Sequence, residues 1–211
     1  MSKTFSLTDS DALLVIDVQN DFCSGGALAV PEGEAVVPLI NGLLRKFPHS
    51  LATQDWHPRQ HKSFASQHPG KDAFGLTEMP YGPQVLWPDH CIQGQKGSAF
   101  HPDLETNSLE LVLRKGFRAE IDSYSAFFEN DRTTSTGLTG YLQQRKIKRV
   151  FLCGLATDFC VYYSAIDALR EGFEVYVIED ACRAIDLEGS LDKALKHMRE
   201  SGVSLITSTS F

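Results

Sequence analysis

Residues 150–178 decide the fold, and they read VFLCGLATDFCVYYSAIDALREGFEVYVI. The stretch contains two continuous apolar runs, Val150–Cys153 and Val175–Ile178, and each is typical of a strand covered on both faces. Four apolar side chains between the runs share one helical face: Val161, Ala165, Ala168 and Leu169. Gly172 stands where a helix-ending glycine belongs. The stretch therefore predicts a β-α-β unit with two parallel strands.

The same alternation extends over the rest of the chain. Further strands are predicted at Ala12–Ile16, Ser50–Thr53, Leu109–Leu113 and Val203–Ile206. Helical spacing recurs at Val36, Val37, Ile40, Leu43 and Leu44, and again at Leu191, Leu195 and Met198 before Gly202. We expect an α/β fold with three layers, α-β-α, and a doubly wound, mainly parallel sheet of about six strands. The 211 residues suffice for a single domain over 1–211 and are short for two.

Composition argues against several classes of protein. The formal charge is −7, and without a basic face a nucleic acid partner is not expected. We interpret the basic cluster Arg145–Arg149 as a solvated helix end that leads into a strand. The sequence contains no apolar run of 18 residues, so a membrane span is not expected. Met1–Ser6 lacks the apolar core of a secretory signal. Five scattered cysteines fit a reducing, cytoplasmic location. A monomer and a homo-oligomer both stay open.

Polar residues follow the predicted strands at their carboxyl ends. Asp17, Asp55, Lys115 and Cys160 each stand just beyond such a run, and in parallel sheets these ends form the ligand crevice. Thr157 could cap the next helix, which would put Cys160 in the first turn, where free N–H groups stabilise a thiolate or an oxyanion. A buried Lys115 needs an anion, which Asp17 could supply. Asp, Lys and thiol together form a coherent acid–base unit.

A metal site is predicted in the irregular region from 55 to 108. His57 and His61 stand four residues apart around Pro58, which suits a helical turn, and Asp55 precedes them. His90 lies in the same region, within Trp87–Cys91. One carboxylate with imidazoles suits zinc, iron(II) or manganese. A region this long without periodicity is either functional or disordered.

These motifs resemble a known family. The similarity to the nicotinamidase/pyrazinamidase group of the isochorismatase-like cysteine hydrolases covers nearly the whole chain. It rests on Asp17–Phe22, Thr53–His57, Trp87–Cys91, Arg114–Gly116 and Gly154–Cys160.

The resemblance implies a role for each site residue. Asp17, Lys115 and Cys160 match the family's catalytic triad, and Asp55, His57, His61 and His90 match its metal ligands. Phe22 and Trp87 match aromatic walls around a pyridine ring, and Tyr124 would close the pocket. Ala156 and Cys160 would offer the oxyanion N–H groups, behind a cis peptide at Leu155-Ala156. His61 follows His57 more closely than in some members, and the segment after Lys115 aligns loosely, which leaves His61 and Tyr124 less firmly placed.

The implied activity is deamidation of nicotinamide, and of pyrazinamide, through a cysteine thioester, with one divalent metal ion binding the pyridine nitrogen. Such an enzyme returns nicotinamide towards NAD. Two alternatives stay open on the sequence. One is a related amidase with another substrate. The other is a hydrolase whose metal-bound hydroxide attacks the substrate while Cys160 is structural.

Overall fold

The computed structural model describes residues 4–211, so the first three residues of the Met1–Ser6 segment lie outside it. The strands are β1 (Asp11–Ile16), β2 (His49–Asp55), β3 (Leu76–Met79), β4 (Gly82–Val85), β5 (Leu111–Lys115), β6 (Arg149–Leu155), β7 (Glu174–Arg183) and β8 (Ser204–Ile206). Six of them form a sheet in the order β5-β2-β1-β6-β7-β8, and every neighbouring pair is parallel. The predicted α/β fold with its six-stranded parallel sheet is confirmed.

Four helices flank this sheet: α1 (Val37–Leu44), α2 (Leu138–Gln144), α3 (Tyr162–Arg170) and α4 (Ser190–Ser201). The α1 crossover leads from β1 towards one sheet edge, whereas α3 and α4 belong to crossovers towards the other edge. Because such crossovers are right-handed, the two sets cover opposite faces, which gives the three layers. Gly172 and Gly202 follow α3 and α4 with φ of 87° and 103°, as helix-ending glycines do.

The core lies where the central strands meet the helices. All six residues of β1 are buried, and so are Val150 to Leu155 of β6. The edge strand β5 differs from the prediction: it begins at Leu111 rather than Leu109, and its exposure alternates, with Val112 41% exposed. Two-sided burial therefore fails at β5, which is an edge strand of the sheet.

Two smaller features complete the comparison with the sequence. The basic cluster forms the predicted link, since α2 ends at Gln144, Arg145 caps it and β6 starts at Arg149. The β3–β4 hairpin was not predicted; it is an antiparallel pair within the irregular region. Within residues 4–211, no helix combines the length and the apolar character needed to cross a bilayer.

Candidate active site

The fold brings the predicted acid–base residues to one end of the sheet. Asp17 directly follows β1, and Cys160 lies in a π-helical turn, Thr157–Val161, directly after β6. These two strands are neighbours, but the chain leaves them towards opposite edges of the sheet. Such a switch point opens a crevice at the carboxyl ends of the strands. Lys115 reaches the crevice from the end of β5.

Asp17, Lys115 and Cys160 are buried and within contact distance of one another. Lys115 Nζ lies 2.8 Å from Asp17 Oδ2 and 3.4 Å from Cys160 Sγ, and it donates to Ser123 O at 2.9 Å. Thr53 Oγ1 donates to Asp17 Oδ1 at 2.6 Å. The other oxygen, Oδ2, accepts no well-directed hydrogen bond within residues 4–211, although it faces the Lys115 ammonium. That oxygen is therefore available to take a proton.

Burial governs the protonation of this group. It raises the pKa of Cys160 well above the usual thiol value, and the nearby Lys115 only partly offsets this effect. Burial also raises the pKa of Asp17, again against the pull of Lys115. Burial opposes the charge on Lys115 itself, but Asp17 and Asp55 outweigh it and raise that pKa. Burial therefore favours a neutral thiol at Cys160 beside the ammonium, which agrees with the expectation that a carboxylate takes the thiol proton.

The expectation that Thr157 caps the helix is wrong. Ala156 occupies the N-cap position of the π-helical turn, and no side chain caps it. The turn is widened, since the Tyr162 N–H bonds back to Thr157 O, five residues earlier. The peptide between Leu155 and Ala156 is cis, as the resemblance implied. Cys160 is therefore placed by backbone geometry and not by a threonine cap.

Asp55 joins the triad to the histidines. Lys115 Nζ donates to Asp55 Oδ1 at 2.5 Å, a pairing that sequence reasoning missed because it considered Asp17 alone as the partner. Burial works against ionisation of Asp55, but Lys115 and then His57 outweigh it and hold its pKa well below the usual range. Gln19, also missed, fixes the Asp55 backbone: its Nε2 donates to Asp55 O at 2.9 Å and its Oε1 accepts from Asp55 N at 2.8 Å.

Three of the predicted metal-binding residues form one buried group. Asp55 Oδ2 lies 3.5 Å from His57 Nε2 and 3.7 Å from His90 Nε2. His57 Nδ1 bonds Gly116 O and His90 Nδ1 bonds Pro88 O, both at 2.8 Å. Since a carbonyl can only accept, each Nδ1 carries a proton, and each Nε2 faces Asp55. This second set of contacts is the one that orients metal-binding histidines, so the three residues fit a divalent ion.

His61 lies beside this group but is held differently. The turn at Pro58 closes with the His61 N–H on Pro58 O at 3.0 Å, and the His57 and His61 rings are 4.3 Å apart. However, His61 Nδ1 accepts the Ser63 N–H at 3.2 Å, and Nε2 lies 3.3 Å from Ile121 O. Burial, with His57 next to it, lowers the pKa of His61 to about 4. Its role as a ligand stays a prediction.

A small cavity joins these groups. Predicted residues that line it are Phe22, Asp55, Trp87, His90, Tyr124, Ala156 and Cys160. Tyr124 OH accepts from Trp87 Nε1 at 3.0 Å and from Gln84 Nε2 at 2.8 Å, which fixes Tyr124 against Trp87. Residues that sequence reasoning did not assign to the site are Leu28, Asp122, Phe159 and Ile185. Only Phe159 had a signal, because it stands inside the motif that ends at Cys160.

Comparison with known proteins agrees with this geometry. A family model described as "Isochorismatase domain" matches residues 11–210. The nicotinamidase of Acinetobacter baylyi is 54% identical over 93% of this chain and 92% of its own length. That of Escherichia coli is 42% identical over 93% and 94%. The chain belongs to the isochorismatase family.

Solved structures of family members superpose over nearly the whole chain. An Acinetobacter baumannii nicotinamidase/pyrazinamidase has a TM-score of 0.96 at 53% identity and covers 97% of this chain and 99% of its own. PnC1 of L. infantum, in complex with nicotinate, scores 0.86 at 38% identity and covers 98% of each. The pyrazinamidase of Pyrococcus horikoshii, in complex with zinc, scores 0.76 at 35% and covers 94% of this chain and 99% of its own.

Proposed function

We propose that this protein is a nicotinamidase, which hydrolyses nicotinamide to nicotinate and ammonia and accepts pyrazinamide as well. One observation carries the proposal: a cavity between aromatic walls places the Cys160 thiol next to Asp17 and Lys115, and beside an Asp/His group. The nicotinamidases among its relatives support this substrate. We infer a single domain over 1–211 and, from five free cysteines, a cytoplasmic location.

The proposed chemistry uses a thioester. Asp17 Oδ2 takes the Cys160 proton, and Lys115 stabilises the thiolate as Sγ attacks the carboxamide carbon. The Ala156 and Cys160 N–H groups hold the oxyanion as the tetrahedral intermediate forms. Asp17 returns the proton to the departing ammonia. It then accepts a proton from the water that hydrolyses the thioester, which releases nicotinate and restores the thiol.

Phe22 and Trp87 hold the pyridine ring, and the Asp/His group fixes its direction. Asp55, His57 and His90 would hold a divalent ion, with His61 as a fourth candidate, and the bound ion would supply a Lewis acid for the pyridine nitrogen. A zinc complex of a relative supports a metal here, and zinc, iron(II) and manganese all suit the ligand set. The contribution of these residues is orientation of the ring.

The test is nicotinate and ammonia formation from nicotinamide by the purified protein, before and after alkylation of Cys160 confirmed by mass spectrometry. The thioester route predicts that alkylation abolishes turnover and that nicotinate protects the thiol. Turnover that survives complete alkylation would favour the metal-hydroxide alternative. No turnover by a metal-loaded protein would favour a related amidase with another substrate.

A further inference from the structure

Asp122 is a buried carboxylate without a counter-charge. Asp122 is only 2% exposed, and its carboxylate accepts hydrogen bonds from Ser123 N at 2.8 Å and Gln84 Nε2 at 2.9 Å. Both donors are neutral. In the part of the chain that the structure describes, no lysine, arginine or histidine nitrogen lies within 4 Å of this carboxylate. A buried charge of this kind is costly unless a cation compensates it.

The side chain stands at the edge of the Asp/His group. One ligand atom each of Asp122, His57 and His61 lies within 4.8 Å of the other two, and His57 also belongs to the group with Asp55 and His90. Asp122 also lines the cavity that contains Asp55 and His90. It therefore adjoins the residues that would hold the ion, on the side where His61 lies.

The charges at this end of the sheet do not balance within the protein. Asp17, Asp55 and Asp122 are three buried carboxylates, and Lys115 is the one buried ammonium among them. Three ionised carboxylates and one ammonium would leave two negative charges once the histidines bind a metal in their neutral form. A divalent cation is the charge that would neutralise them.

We propose that Asp122 is a further residue of the divalent-metal site, and that its carboxylate holds the ion by compensating charge on the His61 side. The inference rests on the proposed function, because it assumes the metal that this function uses. A second carboxylate also shifts the donor set towards the harder ions, manganese over zinc.

The test compares Mn²⁺ affinity of the metal-free protein and its variants by titration calorimetry. Asp122→Asn should weaken Mn²⁺ binding about 10- to 100-fold, as loss of outer partners of a metal site does. Two controls separate charge from structure. Asp89→Asn neutralises an exposed carboxylate beside His90 that bonds Ser66 Oγ, and it should keep the affinity. Gln84→Leu removes the hydrogen bond to Asp122 but leaves its charge, and it should keep Mn²⁺ binding within a few-fold.

Equal losses in Asp122→Asn and Gln84→Leu would overturn the proposal, because the hydrogen-bond network and not the charge would then matter. Unchanged affinity in Asp122→Asn would also overturn it. If that variant does not fold, Asp122→Ser removes the same charge, and failure of both to fold would assign Asp122 a structural role. Nicotinamide turnover by the unaltered protein is measured separately, so a failure of the proposed function is recognised independently of the affinities.

Discussion

Lys115 sets the electrostatics of the site because it contacts both acids and the thiol. Its ammonium lies 2.8 Å from Asp17 Oδ2, 2.5 Å from Asp55 Oδ1 and 3.4 Å from Cys160 Sγ. Breaking a buried pair on one side leaves the other charge unpaired, so these residues depend on one another. Because burial favours the neutral thiol, the first step of the proposed reaction is proton transfer from Cys160 to Asp17 Oδ2.

Replacement of the nucleophile should separate chemistry from metal binding. Cys160→Ala is expected to lower nicotinamide turnover by a factor of about 10³ or more, because the covalent step is lost. Metal content, measured by plasma mass spectrometry, should stay that of the unaltered protein. The matched control is Cys153→Ala, which replaces a different buried cysteine, in β6, and should keep most activity. Parallel loss of metal in Cys160→Ala would contradict the separate roles.

The pH profile should report Asp17. Its carboxylate must be ionised to take the thiol proton, and burial raises its pKa, so kcat/KM should fall on acidification with an apparent pKa above the usual aspartate value of about 4. Thr53 donates to Asp17 Oδ1 and favours the charged form. Thr53→Val should therefore move the acid limb up by about one pH unit. An acid limb that stays in place, or moves to lower pH, would show that another group titrates.

At the scale of elements, the π-helical turn is tied to the loop after β7. Asp158 accepts hydrogen bonds from Ile185 N at 3.1 Å and Asp186 N at 2.8 Å, and also from Ser190 Oγ at the start of α4. Ile185 lines the catalytic cavity. One buried carboxylate thus fixes the turn that carries Cys160 and a wall of the cavity together.

Loss of this carboxylate should destabilise the protein. Asp158→Ala leaves backbone donors unsatisfied, which should lower the free energy of unfolding by about 3 kcal/mol. The measurement is urea denaturation, with unfolding monitored by circular dichroism. Asp192→Ala, at an exposed acid in the first turn of α4, should change it by less than about 0.5 kcal/mol. Equal effects of the two variants would refute the special role of Asp158.

The sequence predicted those elements whose pattern is set by local burial. The runs in β1, β6 and β7 are continuous and apolar because helices cover both faces, so they could be recognised directly. The β3–β4 hairpin could not, since its two four-residue strands have exposed positions and no clear alternation. The site followed the same rule: strand-end residues were found, whereas Asp122 and Ile185 come from loops whose approach depends on tertiary packing.

At the scale of the whole molecule, the buried charges and a cluster of phenylalanines lie at opposite ends of the sheet. The strands' carboxyl ends carry the buried charges, while Phe5, Phe151 and Phe211 pack together near their amino ends. Asp11, at the start of β1, accepts from Arg149 Nε at 2.5 Å and Nη2 at 2.6 Å, which joins the starts of two neighbouring strands.

Stability should fall in acid. Burial of Asp11 opposes ionisation, but Arg149 outweighs it and lowers the pKa, and Asp55 is lowered further by Lys115. Carboxylates with lowered pKa values stabilise the fold above their unfolded pKa of about 4, and this stabilisation is lost as the pH falls through their pKa values in the folded protein. The raised pKa of Asp17 has the opposite effect on stability. The Tm of the metal-free protein should drop between pH ~7 and ~3, and less in Asp11→Asn. An equal drop in both proteins would contradict the role of Asp11.

The most direct test of the central claim is ammonia release from nicotinamide by the purified, metal-analysed protein, before and after chelation. If Cys160 attacks the carboxamide carbon of a substrate whose ring the Asp55, His57 and His90 group orients, release should disappear with complete metal removal and return when a divalent metal is restored. Ammonia release that is unchanged by complete metal removal would contradict the role of the metal group in orienting the substrate. It would not contradict the cysteine mechanism.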